Sequence, residues 1–172
     1  GAAEVVLAAE RIATEMSASG HATVATVGKI SVRPGGANIV PGSCEFTVDI
    51  RDVEKAARDR AVDAIREAAV SIASARGLSV ESREVIRVDP VALDEAAIEL
   101  VARTCEELGV PHHRMVSGAG HDAQVMAAIT RVGMIFVPSI GGVSHSPDEL
   151  TRWEDLATGA NVLAHVLARE AC

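Results

Sequence analysis

Aromatic residues are almost absent from this 172-residue sequence, which contains one Trp, two Phe and no Tyr. A core therefore has to be built from Ala, Val, Ile and Leu. The hydrophobic content of 48% is high enough for a globular protein and argues against disorder. The length corresponds to one large domain or two small ones.

Positive charge is also scarce. The sequence has 16 Lys and Arg against 24 Asp and Glu, a formal net charge of −8, and no basic stripe that would favour a nucleic acid. No apolar run reaches membrane-spanning length, and no signal peptide is visible. We therefore expect a cytoplasmic protein with neither a nucleic-acid nor a membrane partner.

Cysteine is the third scarce residue type. Cys44, Cys105 and Cys172 lie far apart without a CxxC pair, which indicates reduced thiols in a cytoplasmic protein. Because Cys44 and Cys105 stand on apolar faces, we expect both to be core residues rather than ligands.

Residues 1–89 follow the pattern of one small α/β module. Hydrophobic periodicity predicts a helix, two strands, a helix and a third strand, in that order, at residues 1–20, 22–32, 43–51, 53–76 and 78–88. Gly20 and Gly77 are predicted to end the helices, and Arg58 to lie on the outward face of the second helix. The order is that of a ferredoxin-like β-α-β-β-α-β unit without its first strand. Since the chain opens in a helix with neither Met nor a capping residue, we expect a piece of a longer protein.

Residues 90–172 have a different pattern. A helix is predicted at about 92–108 and ends at Gly109, and a strand, a glycine loop and a further helix follow within 112–129. The continuous apolar run at 133–138 is typical of a strand covered on both faces of a parallel sheet. A last helix follows Thr151. This half resembles the edge of a doubly wound α/β domain, whose ligands bind beyond the carboxyl ends of the strands.

Four polar residues stand in loops or at strand ends where they could meet a ligand. Arg51 ends a strand, and its planar guanidinium suits a carboxylate, although a salt bridge to a neighbouring acid is the simpler interpretation. Asn38, in a Gly- and Pro-rich loop, fits a turn residue that tolerates positive φ. His121 follows a glycine loop, where Asp122 or His121 could cap the next helix, and we assign the cap to Asp122. His145 has no second metal ligand at a usual spacing, so the residues alone favour a surface loop histidine.

Three segments together resemble a known family: TVGKISVRPGGANIVPGSCEFTVDIR, SGAGHDAQVMA and GMIFVPSIGGVSHSPDEL. In this order they are similar to the C-terminal portion of the M20-type metal-dependent amidohydrolases, most of all to the N-carbamoyl-L-amino acid hydrolase and allantoate amidohydrolase branch. The resemblance implies a catalytic α/β domain with two divalent metal ions (Zn, Mn, Co or Ni) and an inserted lid or dimerisation domain. Residues 1–89 would be that lid, and residues 90–172 the C-terminal part of the catalytic domain.

The resemblance also implies roles for the four candidates. His145 matches a metal ligand, Asn38 a residue that holds the scissile carbonyl or its oxyanion, and Arg51 the arginine that binds the substrate carboxylate. His121 borders the substrate pocket. The family's other metal ligands and its general-base glutamate precede the segment present here, so we assign no catalytic residue. We expect this chain alone to bind no metal tightly and to be inactive.

The implied reaction of the parent enzyme is hydrolysis of a linear amide or ureido C–N bond in a small molecule with a carboxylate, by a homodimer that associates through the lid. Two alternatives remain open. One is a peptidase or aminoacylase of the same superfamily. The other is a non-catalytic ferredoxin-like module for binding or dimerisation, which predicts no role for His145.

Overall fold

The computed structural model describes residues 1–170, so Cys172 lies outside the described part of the chain. The chain divides into two compact units, the first comprising Gly1–Pro90 and the second beginning at Val91. Each unit is described by itself below.

The first unit is a β-hairpin packed against two helices. Its elements are α1 (Ala2–Ala18), β1 (Val24–Arg33), β2 (Ser43–Arg51) and α2 (Lys55–Ala75). β1 and β2 pair antiparallel, with Val24 opposite Arg51 and Arg33 opposite Ser43. The predicted order of these four elements is therefore confirmed.

The core of this unit lies between the helices and the hairpin. Ala9 and Ile12 of α1 meet Ile65 of α2, and Val48 and Ile50 of β2 pack against them. The strict alternation of β2 explains this arrangement, since its apolar residues share one face and its polar residues are exposed on the other. Cys44 belongs to the apolar face and is half-buried.

Three helices end in the same way, each at a predicted glycine. Gly20, Gly77 and Gly109 have φ values of +94°, +63° and +66°. Each glycine and the residue after it donate backbone hydrogen bonds to the last turn of the helix, the Schellman arrangement. A side chain at these positions would strain the left-handed backbone, which is why glycine is required.

The third strand expected at 78–88 is not present as a strand, because the sheet found among the described residues has only β1 and β2. A strand needs a hydrogen-bonded neighbour, and no described segment pairs with these residues. Val85 and Ile86 are both 79% exposed. The described residues therefore contain a single β-hairpin, and the expected ferredoxin-like sheet is not seen in them.

Ion pairs hold this segment to α2 instead. Arg58, predicted to face outward, is only 6% exposed. Its guanidinium donates to the Val88 carbonyl oxygen at 2.6 Å and to the Asp89 carboxylate at 2.9 Å. Lys55 reaches the same carboxylate at 2.6 Å, and the two cations hold the pKa of Asp89 below its usual range. The prediction for Arg58 was wrong because the returning chain covers that face of the helix.

The second unit is mainly helical. It contains α3 (Glu95–Glu107), the short α4 (Asp122–Met126), a 3₁₀ turn at Ile140–Gly142 and α5 (Trp153–Glu170). Asp94 caps α3 by accepting a hydrogen bond from the Ala97 N–H at 2.8 Å.

α3 and α5 pack against each other. Among residues 91–170, the buried ones are Thr104 and Cys105 of α3 and Val162 of α5. Arg169 of α5 donates to the Thr104 hydroxyl at 3.1 Å. Burial raises the pKa of the Cys105 thiol, as fits the expected core cysteine.

The strands expected within 112–117 and at 133–138 do not form a sheet among residues 1–170. Residues 133–138 are half-buried or exposed instead of being covered on both faces. Leu163 and Leu167 of α5 are 47% and 59% exposed. The observed fold is thus a mixture of helices and one small sheet, consistent with an α/β class, while the doubly wound sheet is not seen in these residues.

None of the helices within residues 1–170 is both long enough and apolar enough to cross a lipid bilayer.

Replacing Ile65 by Ala should lower the free energy of unfolding by about 2–4 kcal/mol, because it leaves a cavity where α1, α2 and β2 meet. Val70→Ala on the same helix is the matched control. Val70 is 58% exposed, so its loss should change stability by less than about 0.5 kcal/mol. Urea unfolding followed by circular dichroism measures both. Equal effects at the two positions would contradict the assigned core.

Candidate functional site

The hairpin places Asn38 and Arg51 at its opposite ends. Asn38 lies in the loop that connects β1 to β2, whereas Arg51 is the last residue of β2 and pairs with Val24, the first residue of β1. The nine residues of β2 extend over about 27 Å at roughly 3.4 Å per residue. Every residue of the loop 34–42 is exposed, so the loop does not fold back over the sheet.

Arg51 holds a carboxylate in the structure. Its Nε donates to Oδ1 of Asp49 at 2.6 Å, and its Nη2 donates to Oδ2 at 3.1 Å. This is the two-pronged geometry that the guanidinium fork favours, and the neighbouring carboxylate raises the pKa of Arg51. The salt bridge considered from the sequence is therefore present, on a side chain that is 50% exposed.

Asn38 occupies a turn, as its residue type suggests. The Ile39 N–H donates to the Gly36 carbonyl oxygen at 3.3 Å, which makes Ala37 and Asn38 the central residues of the turn. The backbone of Asn38 does not make use of the positive φ that this residue type tolerates. Among the described residues other than glycine, only His145 has one. The Asn38 side chain is exposed.

His121 is held in the second unit by two contacts. Its Nε2 lies 2.8 Å from the Ser117 hydroxyl oxygen, and its ring meets the edge of Phe136 with centroids 5.7 Å apart. The expectation that Asp122 caps the next helix was wrong. α4 begins at Asp122, and His121 is the capping residue, without a side-chain hydrogen bond to the helix.

An open depression of 470 Å³ borders His121. Its lining is Gly120, His121, Asp122, Ala123 and Met134. The two glycines of SGAGH expose backbone near the imidazole, so a small ligand could approach both. In this depression the imidazole of His121 lies beside the apolar side chains of Ala123 and Met134.

His145 has a strained backbone. Its φ is +56°, a left-handed conformation that costs a residue with a side chain about 1–2 kcal/mol. The loop compensates with polar contacts, since the His145 N–H donates to Glu149 Oε2 at 2.8 Å and Ser139 Oγ donates to the Val143 carbonyl oxygen at 2.5 Å. The imidazole is exposed. Strain of this kind is concentrated at functional sites, which favours a role for His145.

The described residues do not assemble a metal site by themselves. Within residues 1–170, no three His, Cys, Asp or Glu side chains are grouped closely enough to hold a metal ion. A stable site for a transition metal needs three or four protein ligands. His145 is therefore suited to be one ligand of a site that requires others.

Comparison with known proteins decides the family. The model of peptidase family M20/M25/M40 matches residues 3–169. The chain belongs to this family. The M20 chain is 37% identical in sequence to an amidase of the hydantoinase/carbamoylase family from Burkholderia multivorans. The crystal structure of that amidase covers 99% of the M20 chain and superimposes on it with a TM-score of 0.91.

Relatives of the M20 chain carry three activities in their names. An N-carbamoyl-L-amino-acid amidohydrolase of Pseudomonas sp. is 41% identical over 95% of the chain, and a ureidoglycolate hydrolase of Arabidopsis thaliana is 37% identical over 98%. An allantoate amidohydrolase of Bacillus subtilis is 37% identical over 83%. The M20 chain spans 39%, 35% and 34% of the length of these three proteins.

Sequence reasoning missed two residues that hold the candidates in place. Ser117 contacts His121, and Glu149 fixes the loop of His145. The sequence does contain one common feature of these two pairs, because Ser117 and Glu149 each stand four residues from the histidine that they contact. In a loop, however, a four-residue spacing does not predict a contact, since the backbone has no fixed period.

The strain at His145 gives a measurable ranking. We expect His145→Gly to be more stable than His145→Ala by about 1 kcal/mol, because glycine adopts a φ of +56° without a steric penalty. His113 is the matched control, an exposed loop histidine that does not have a positive φ, where the Ala variant should be the more stable. Urea unfolding of the four variants tests this, and the same ranking at both positions would contradict the strain at His145.

Proposed function

We propose that this chain supplies the substrate-binding elements and one metal ligand of an enzyme that hydrolyses a linear ureido or amide C–N bond in a small molecule with a carboxylate. One observation carries the proposal. The Arg51 guanidinium already binds a carboxylate through two hydrogen bonds at an exposed end of the hairpin. A substrate carboxylate would take the place of Asp49.

This exchange is energetically feasible. An exposed ion pair contributes about 0–1 kcal/mol, so Arg51 can leave Asp49 for a substrate at little cost. Asp49 would keep the fork oriented until the substrate arrives. The named relatives favour ureido substrates, because N-carbamoyl amino acids, ureidoglycolate and allantoate all combine a ureido group with a carboxylate.

Asn38 would act at the other end of the substrate. Its exposed amide can donate a hydrogen bond to the scissile carbonyl oxygen, and the bond would strengthen as negative charge develops there. The loop position supports this role, because the side chain can approach a ligand without displacing core packing.

The hairpin geometry favours a homodimer. A small substrate cannot extend from the loop of Asn38 to Arg51 along about 27 Å of strand. Two copies of the chain remove the difficulty if each site takes Arg51 from one subunit and Asn38 from the other. We therefore propose that residues 1–89 form the lid and dimerisation domain, and that residues 90–172 belong to the catalytic domain.

A divalent metal would complete the site. M20 enzymes generally use such ions, and a bound metal supplies Lewis-acid polarisation of the carbonyl and an activated water. His145 would be one ligand, held by its strained loop. We propose that the 172-residue chain alone binds metal weakly and has no activity, since one imidazole does not make a stable site.

Mixed dimers test the assignment of Asn38 and Arg51. In the complete enzyme, Asn38→Ala and Arg51→Ala homodimers should each lose at least about tenfold in kcat/KM on an N-carbamoyl amino acid. Exchange of subunits between the two variants should restore activity, because each mixed dimer then contains one site with both residues intact. Release of ammonia from the ureido group provides the assay.

The control mixes Asn38→Ala with Arg11→Ala, which removes only an exposed helix ion pair to Glu15. Each mixed dimer of this pair should also have one intact site, but exchange should leave the total activity of the mixture unchanged, because Arg11→Ala homodimers already contain two intact sites. If the two site variants stay inactive when mixed although dimers exchange, both residues act from one subunit. An unaltered protein that hydrolyses no ureido carboxylate would contradict the proposed function as a whole.

Replacing His145 by Ala in the complete enzyme should lower the metal content of the purified protein, measured by elemental analysis after dialysis. His165→Ala is the control, an exposed histidine of α5 whose Nδ1 contacts the Asn161 carbonyl oxygen, and it should keep full metal content. Equal metal content in both variants would show that His145 is only a loop residue.

A further inference from the structure

Ser117 forms three contacts in the loop before α4. Its hydroxyl oxygen lies 2.8 Å from His121 Nε2, 3.2 Å from the Ala119 N–H nitrogen and 3.2 Å from the Ala119 carbonyl oxygen. A serine hydroxyl has one proton to donate and two lone pairs to accept with. The three contacts can therefore be satisfied together in only one way.

That arrangement indicates which ring nitrogen of a neutral His121 carries the proton. If the Ser117 O–H donates to the Ala119 carbonyl oxygen, the two lone pairs can accept from the Ala119 N–H and from His121 Nε2–H. If the hydroxyl donated to Nε2 instead, the contact with the Ala119 carbonyl oxygen would lose its proton. The complete set of hydrogen bonds requires the neutral imidazole to carry its proton on Nε2, which leaves Nδ1 with a lone pair.

A second contact restrains the orientation of the ring. Phe136 meets the imidazole at an interplanar angle of 65°, with ring centroids 5.7 Å apart, and opposes rotation of the ring about its bond to Cβ. A ring flip would exchange Nδ1 for the opposite carbon and break the contact with Ser117. Because His121 lines the open depression, a ligand bound there meets this oriented ring.

We propose that Ser117 is a positioning residue that holds His121 in the Nε2–H tautomer, so that Nδ1 accepts a hydrogen bond from an N–H group of the substrate. This inference rests on the proposed function, and it specifies which part of the substrate His121 contacts. The ureido group is rich in N–H donors, whereas the carboxylate has none. His121 would thus contact the ureido group of the substrate and not its carboxylate.

The tautomer can be read directly from the protein. Long-range ¹H–¹⁵N spectra of the ¹⁵N-labelled 172-residue chain, recorded at mildly alkaline pH, distinguish a protonated ring nitrogen from an unprotonated one. The His121 signals are assigned by their loss in a His121→Asn variant. We expect Nδ1 to be unprotonated in the unaltered chain and in Ser117→Thr, which keeps the hydroxyl.

Ser117→Ala should lose this preference and give signals of both tautomers. Ser82→Ala is the control, because Ser82 is an exposed serine of the first unit and should leave the His121 signals unchanged. A predominant Nδ1–H form in the unaltered chain would overturn the inference. An unchanged tautomer in Ser117→Ala would do the same.

Activity of the complete enzyme then separates this inference from the proposed function. Ser117→Ala should lower kcat/KM about tenfold, which is the loss typical of one hydrogen bond. Ser117→Thr should keep the kcat/KM of the unaltered enzyme. In an enzyme that already carries His121→Asn, adding Ser117→Ala should not lower kcat/KM further. A His121→Asn enzyme with full activity would remove His121 from the substrate site while leaving the tautomer assignment intact. If the spectra show the expected tautomers but Ser117→Ala leaves kcat/KM unchanged, the positioning role of Ser117 is overturned.

Discussion

The hydrogen-bonded pairing of β1 with β2 is the constraint on which the first unit depends. Its register fixes the apolar face of β2 against Ile12 and Ile65, and so determines how both helices pack. The same register places Arg51 and the loop of Asn38 at opposite ends of a rigid element. Packing and the placement of these two side chains are therefore not independent, since a slip of one residue in the pairing would turn Arg51 toward the core.

The second unit positions its candidate residues by a different means. Neither His121 nor His145 belongs to a helix or a strand, and each is held by polar contacts within its own loop. Loops carry reactive side chains readily because their backbone can adopt conformations that helices and strands exclude. The left-handed backbone of His145 is an example. It presents the imidazole to solvent at a cost that the neighbouring hydrogen bonds offset.

Electrostatic contacts take the place of missing sheet pairing in residues 78–89. Arg58 is buried between Asp59 and Asp89, and Arg87 joins Asp59 to Glu84, so the segment is fixed to α2 although its apolar residues are exposed. Arginine suits this arrangement because its planar group binds several acceptors at once. Apolar side chains of this segment and of α5 are exposed. Fewer apolar side chains are therefore buried by the described residues than the sequence pattern predicts.

The sequence by itself determined the elements whose pattern is local. The four elements of the first unit, the alternating face of β2 and the glycine ends of three helices follow from periodicity and from the φ that each end requires. The motifs around Asn38, Arg51, His121 and His145 indicated the family before any geometry was known. Strands at 78–88 and 133–138 could not be established in this way, because a strand exists only with a neighbour and periodicity does not say whether one is present. Tertiary structure alone decided that Arg58 is buried and that Ser117 meets His121. Such contacts depend on where the backbone places two side chains in space, and no spacing along a loop encodes that distance.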